Sequence, residues 1–309
     1  MNDGTEQSRT WRPGYPVHAR LVLSSLQRGP RDPAHRVASD GTVWRASRMA
    51  TGPVSYRITQ LGPSAVRVQA WGPGAGEVVD DLPRLLGADD RPETFTPSHP
   101  VLVRAVRELP GYRVPCTGRV VEALVPAVLE QRVIGLDAFD AWRRLVTWHG
   151  DPAPGPTPVG MLVPPDAARW REISTWDWHR AGVDPGRQRA ARSVLSLAEG
   201  LERAAARGER AAVYRALLAV PGIGRWTAAE VGSRALGDAD ALPLGDYHLP
   251  ALAGIALGDG HKLPDDAVEE FFEPWRPHRF RVVRLLELAP SVRIPRHGPR
   301  LTRQDHRAH

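Results

Sequence analysis

Two features of this sequence can do chemistry: a Pro221-Gly222-Ile223-Gly224 turn and, downstream of it, an aspartate, Asp246. Residues 217–231 read L-L-A-V-P-G-I-G-R-W-T-A-A-E-V. The pattern predicts an amphipathic helix, a four-residue turn and a second helix. Two glycines let the backbone turn sharply and approach another chain closely, and Ile223 can tuck inward to pin the turn. The N–H groups of Gly222, Gly224 and Arg225 then stand at a helix N-terminus. Unpaired donors and the helix dipole make such a place a phosphate site, and one that reads no bases. An ordinary helix–turn–helix corner would use the same residue types.

Asp246 lies within G-D-A-D-A-L-P-L-G-D-Y-H-L-P, residues 237–250. The spacing places it at the start of a helix, after a short glycine-containing loop. A carboxylate there either caps the helix or faces a reacting centre as a fixed negative charge. Trp226, just after the turn, and Tyr247, beside Asp246, are aromatic and could stack on a flat ligand, although a tryptophan is equally at home in a core. His248 offers an imidazole able to give or take a proton, or is simply a helix-surface residue.

These residues need a scaffold. Short alternating or β-branched runs at 18–26, 42–47, 54–62 and 65–72 are separated by Gly/Pro turns and predict strands; a helix over 74–86 closes that unit. From residue 96 onward the pattern is helical: 100–109, 119–133 and 137–149, then a Pro-rich loop over 151–165. Further helices are predicted at 166–173, 175–181, 186–207, 210–220, 225–236, 247–257, 265–272 and 277–289. The fold class is α+β, an N-terminal antiparallel β-sheet domain with two mainly α-helical domains. The expected boundaries are a disordered tail at 1–10, the sheet domain at 11–92, a central helical domain at 116–237, a second helical domain from 97–115 with 238–292, and a basic disordered tail at 293–309.

The 309 residues carry a net charge of +6, and Lys262 is the only lysine. Arginine suits phosphate through its planar fork of donors, although abundant Arg, Ala, Gly and Pro also fits a high-GC coding bias. A single cysteine, Cys116, excludes a disulfide framework and any zinc or iron–sulfur site built on several thiolates. No apolar run spans a bilayer and residues 1–10 carry no signal-peptide pattern, so the expected location is the cytoplasm, at the nucleoid.

Hairpin and following Asp together resemble the helix-hairpin-helix DNA glycosylase superfamily. The resemblance extends to L-V-P-A-V-L-E-Q-R-V at 124–133, similar to a family helix ending in Gln, here Gln131, and to Glu273-Pro274-Trp275-Arg276, similar to a late W-x-P-W-R segment. The β-rich N-terminal unit is similar to that of the 3-methyladenine DNA glycosylase II group. The resemblance implies removal of damaged bases, alkylated purines such as 3-methyladenine, from double-stranded DNA by a monomer, with no membrane and no organic cofactor. It implies Asp246 as the catalytic residue and Asp240 as a structural acid. Gly222, Ile223, Gly224, Arg225 and Thr227 would hold the DNA backbone, and the Val220 and Ile223 carbonyls would offer a place for a monovalent cation. Trp226, Tyr247, Glu230, Arg284, Gln131, Arg132 and Leu23 fall at base-pocket or wedge positions.

Three departures from the pattern matter. Relatives that also cut the strand carry a Schiff-base lysine two residues after the last hairpin glycine; here that residue is Trp226, so base removal without strand scission is expected. The wedge position, apolar in the 3-methyladenine group, is Arg132, able to stack or to contact phosphate. Two aromatic pocket positions are Glu230 and Arg284, which would supply charge or pair with each other across the wall. A different or bulkier lesion, or a non-catalytic DNA-binding protein, are the competing readings.

Overall fold

The structure, a computed structural model, describes residues 6–295. Five strands, β1 (Gln7–Trp11), β2 (His35–Val37), β3 (Val43–Met49), β4 (Gly52–Gly62) and β5 (Ala65–Trp71), form an antiparallel sheet in the order β1-β5-β4-β3-β2. Alternation along β4 and β5 sends Val54, Tyr56, Ile58, Val66, Val68 and Ala70 into a core with α1 (Ala19–Leu23) and α2 (Ala75–Leu85). A second small core on Trp44, Ala46 and Trp71 meets Met161 and Val163; Val163 belongs to a two-residue ladder, β6 (Asp151–Pro152) with β7 (Leu162–Val163), inside the expected Pro-rich loop.

Two N-terminal expectations change. Residues 7–10 belong to β1 and not to a loose tail, because backbone bonds to β5 hold a segment too polar to read as a strand. Residues 18–26 are not a strand. They form α1 and a 3-10 turn at Ser24–Leu26, started by the His18 ring, whose Nδ1 accepts the Leu21 N–H at 3.3 Å. A short apolar run does not distinguish the two periods. Residues 296–309, most of the expected basic tail, and residues 1–5 lie outside the described residues.

The helices follow as α3 (Pro100–Glu108), α4 (Val120–Leu129), α5 (Gly135–His149), α6 (Ala167–Glu172), α7 (Thr175–Ala181), α8 (Pro185–Leu195), α9 (Ala198–Ala206), α10 (Arg210–Leu218), α11 (Arg225–Ala235), α12 (Leu249–Leu257), α13 (Val268–Phe272) and α14 (Arg279–Leu288). Polar caps start several of them: Asp166, Ser174 and Asp184 each accept a backbone N–H of the first turn. The predicted 186–207 helix is two, broken at Ser196–Leu197, where the Ser196 hydroxyl donates to Ser193 O at 2.6 Å. One apolar cluster joins Leu124, Val128, Leu145, Trp178, Leu195, Leu217, Ile223 and Val231 from α4, α5, α7, α8, α10, α11 and the turn before α11. Another joins Leu102, Leu252, Phe272, Val283 and Leu286 from α3, α12, α13 and α14. No helix among the described residues is long and apolar enough to cross a membrane.

Between the sheet and α4–α5 lies a buried polar seam. Asp32, 1% exposed, accepts Arg28 N at 2.7 Å through Oδ2, and Ala34 N and Trp142 Nε1, both at 2.9 Å, through Oδ1. Arg45 from β3 bonds Tyr56 and His35 and pairs with Glu122 of α4. Burial pushes the Asp32 carboxyl upward, against the indole and backbone donors that favour its charge. Three donors converging on one carboxylate make Asp32→Ala costly: each buried donor left unpaired loses on the order of 1 kcal/mol or more. A loss of about 3 kcal/mol in urea unfolding is expected; a loss under about 1 kcal/mol would mean that water takes over the carboxylate's part.

Candidate active site

The hairpin forms as its sequence requires. α10 ends at Leu218, the chain turns through 219–224, and α11 starts at Arg225. Gly222 has φ +89, and a Cβ there would lie 2.9 Å from the Ala190 Cβ of α8. Only glycine meets both conditions. Ile223 is buried and its N–H donates to Val220 O at 3.0 Å. That bond uses one lone pair of the Val220 carbonyl; a cation at the expected place would share the same oxygen. Gly224 caps α11 with no side-chain partner, and both Gly224 and Arg225 are exposed, so the first N–H groups of the helix face outward.

Asp246 stands across from this helix. Its Oδ1 accepts His248 N at 2.7 Å and Leu249 N at 3.1 Å, so it does cap α12. Its Oδ2 accepts Trp226 Nε1 at 3.2 Å. One oxygen is therefore tied to a helix N-terminus and the other to an indole on the hairpin's second helix, with the carboxylate partly exposed. Tyr247 is 44% exposed, edge-on to His248 at 5.0 Å, and the Lys262 ammonium lies 5.9 Å from its ring centroid. Lys262, distant in sequence, is thus a neighbour of the site that the motif did not reveal; its Nζ also pairs with Asp265 at 3.3 Å.

Asp240 does structural work. It accepts Arg279 Nε at 2.8 Å, Arg279 Nη2 at 2.7 Å and Arg276 Nη1 at 3.1 Å, tying the Glu273-Pro274-Trp275-Arg276 segment to the loop before Asp246. The hairpin is braced from the other side by Gln131, whose Nε2 donates to Gly222 O at 3.0 Å and Thr227 Oγ1 at 2.8 Å. This changes two expectations. Thr227 is 2% exposed and faces Gln131, so its hydroxyl is closed to a DNA backbone. The Gln131 amide, placed at the base pocket or wedge, is committed to the hairpin. The next residue, Arg132, is exposed at φ +56, the only non-glycine residue with positive φ among those described. Left-handed backbone is costly for a side chain, and here the turn after α4 imposes it.

Three other assignments are corrected. Leu23 is fully buried in the sheet core and reaches no pocket. Glu230 and Arg284 do not pair with each other: Glu230 Oε2 binds Arg234 Nη1 at 2.7 Å, four residues along α11, and Arg284 pairs with Glu287 and donates to Ser24 Oγ at 3.0 Å. In both cases a partner one helical turn away wins over a distant one. Arg225, exposed as expected, is held by Glu269 at 2.8 and 2.5 Å. Arg28, Glu130 and Arg234 were not singled out in the sequence, yet with Glu230 they form a buried charged cluster; Arg28 Nη1 meets Glu130 Oε1 at 3.0 Å, and burial pushes the Glu130 carboxyl upward. Among the described residues no three His, Cys, Asp or Glu gather as metal ligands.

The brace is testable without any ligand. Gln131→Ala leaves the Gly222 carbonyl to water and the buried Thr227 hydroxyl unmet, which costs about 1–2 kcal/mol. Amide hydrogen exchange over 219–227 should then quicken at least tenfold, with α12 unchanged. Unaltered exchange would show that packing alone holds the hairpin.

No family model matches the chain. In sequence it is 34% identical over 209 residues to a protein of Mycobacterium tuberculosis described as a probable bifunctional transcriptional activator/DNA repair enzyme AlkA, an alignment covering 63% of this chain. The chain spans about two fifths of that relative's length (39%). Among solved structures it is similar to 3-methyladenine DNA-glycosylase from Archaeoglobus fulgidus, with TM-score 0.71 and 17% identity, over 90% of this chain and 96% of that one. It is also similar to the apo 8-oxoguanine glycosylase/lyase of Clostridium acetobutylicum, with TM-score 0.68 and 11% identity, over 92% and 97%. The sheet, the helices and the hairpin facing Asp246 thus give this chain the fold of the helix-hairpin-helix DNA glycosylases.

Proposed function

We propose that this chain is a DNA glycosylase that excises alkylated purines from double-stranded DNA in base excision repair, with Asp246 as the catalytic residue. The observation that carries the reading is the Asp246 carboxylate, tethered by the Trp226 indole to the helix that follows an uncapped Gly-rich hairpin. The partial match to a DNA repair enzyme supports it.

A base in duplex DNA is shielded by stacking and pairing and must be flipped out, at a cost of a few kcal/mol. The outward N–H groups at Gly224 and Arg225 grip a phosphate meanwhile. As the C1′–N bond breaks, its electron pair leaves with the base and positive charge develops on the sugar. Asp246 faces that charge and orients a water, whose oxygen adds to C1′ while its proton leaves through the carboxylate. Trp226 and Tyr247 line the entrance for the base. Trp226 occupies the position where strand-cutting relatives carry an amine, and Lys262 is held by Asp265, so the reading is base removal without strand scission. Arg132, exposed on its left-handed backbone next to Gln131, would fill or flank the gap in the duplex.

Asp246→Asn removes the charge and keeps the helix cap, at the loss of the bond that Trp226 Nε1 donates to Oδ2. With methylated duplex DNA, base release should fall by about 10²-fold or more, DNA binding should persist, and wild-type product strands should break only on alkali. Full activity in the variant would remove Asp246 from the mechanism.

The Arg225–Glu269 pair is exposed, 61% and 42% on the two side chains, and such pairs are worth at most about 1 kcal/mol. Phosphate therefore has to displace Glu269 to use Arg225. Glu269→Gln should tighten DNA binding a few-fold at low salt and steepen the dependence of log Kd on log salt by about one charge. Binding unchanged in both respects would leave Arg225 out of the DNA contact.

A further inference from the structure

An open cavity of about 320 Å³ lies between α7 and the start of α8. Small-molecule sites occupy about 300–1,000 Å³. Trp176 and His179, one turn apart on α7, supply its aromatic surface; their rings are 28° from parallel with centroids 6.1 Å apart. Val183 and Pro185, from the connection to α8, add apolar lining. Trp176 is 65% exposed, more than Tyr247 at 44%, so most of its indole faces water. Two polar groups complete the lining. Gln188 is 6% exposed, and its Nε2 donates to Thr175 Oγ1 at 3.0 Å. That bond orients the carboxamide and leaves its Oε1 to accept and the Thr175 hydroxyl to donate. A flat apolar surface beside an oriented acceptor and donor is what an unstacked nucleobase requires, with its face on the indole and its edge on the polar pair.

The position of α8 says where such a base comes from. Ala190 meets the hairpin at Gly222, and Gln188 meets the cavity, so the two flank α8 about 10 Å apart, a helix width. Residues of a helix step by about 100°. Round the solvent side of α8, the path from Gln188 to Ala190 passes Arg192 and then Arg189. Both are exposed and carry no ion pair or hydrogen bond among the described residues. Arg192 is one turn beyond Gln188, and side chains on a helix lean toward its N-terminus, here toward Gln188. Asp184, the acid next to Pro185, is taken up by Arg187 and the first N–H groups of α8. A strand held at the hairpin thus reaches the cavity over two free guanidinium groups, each suited to phosphate.

We propose that this cavity is a second nucleotide site, which holds an unpaired base of a DNA strand stacked on Trp176 with the flanking phosphates on Arg189 and Arg192. The proposal rests on the reading of this chain as a DNA glycosylase, because it is DNA held at the hairpin that passes α8. Its chemistry is binding alone. Stacking on an indole accepts any base, so the site takes single-stranded DNA without sequence preference. It gives the protein a hold on unpaired nucleotides beside a duplex, separate from the carboxylate at Asp246.

The test is the affinity of the full chain for a short undamaged oligothymidylate, read by the anisotropy of a dye at one end. Trp176→Ala is expected to weaken binding about fivefold or more, and Trp176→Phe to retain most of it. A strand of abasic units of the same length should bind wild type as weakly as the oligothymidylate binds Trp176→Ala. Arg189→Gln and Arg192→Gln should each flatten the dependence of log Kd on log salt by about 0.7, whereas Arg107→Gln, an equal loss of charge on the exposed side of α3, should not. Equal affinity for the abasic strand, affinity unmoved in Trp176→Ala, or no binding of the oligothymidylate overturns the proposal. Displacement of the strand by dTMP at the same nucleotide concentration also overturns it, since the occupant is then a free nucleotide. None of these readings uses Asp246 or a damaged base, so base release from methylated duplex remains the separate test of the glycosylase.

Discussion

Asp246 is gripped at both oxygens. The N-terminus of α12 holds one and the Trp226 indole holds the other. A carboxylate that merely capped a helix would need only the first bond. The second fixes its position relative to the hairpin, because Trp226 is the second residue of the helix that the hairpin launches. Everything else at the site serves that registration. Gln131 anchors the turn at Gly222 and the helix at Thr227, and Asp240 anchors the approach to Asp246 through two arginines. In the proposed reaction a fixed charge near a developing cation is effective only if it does not reorganise, and this is an arrangement with little freedom to do so.

Behind the carboxylate, the interior is polar to an unusual depth. Arg28, Glu130, Glu230 and Arg234 cluster where residues 24–28 meet α4 and α11, and the Asp32–Trp142 seam continues from them toward the sheet. Buried ion pairs seldom add net stability over well-packed apolar groups, while loss of one partner is costly. Their effect here is to lock the sheet's first helix and 3-10 turn against the helical layers in one arrangement, since hydrogen-bonded charges tolerate fewer alternatives than apolar contacts.

How much of this was legible depends on the range of each interaction. The hairpin was readable because Pro, two Gly and an apolar pin act locally, and Asp246 because carboxylates have a recognisable place before a helix. The α+β class followed from the change in period near residue 96. What failed was long-range or marginal. Strand β1 looks like a polar tail because its bonds are backbone bonds to a partner some sixty residues away. Leu23 belonged to a run too short to separate helix from strand. Thr227 and Gln131 find each other across 96 positions of sequence, which no local pattern encodes. Glu230 and Arg284 do not pair with each other, because Arg234 and Glu287 sit at helical spacing from each.

One detail of composition acquires a spatial meaning. Almost every cation in this chain is a guanidinium, which keeps its proton across the whole accessible pH range. The single ε-amine, Lys262, rests beside the Tyr247 ring, next to the carboxylate that the fold is built to hold. Reagents that acylate or alkylate side-chain amines therefore meet one lysine, at the rim of the candidate site, and a fluorophore attached there would test for the arrival of DNA without any engineered cysteine.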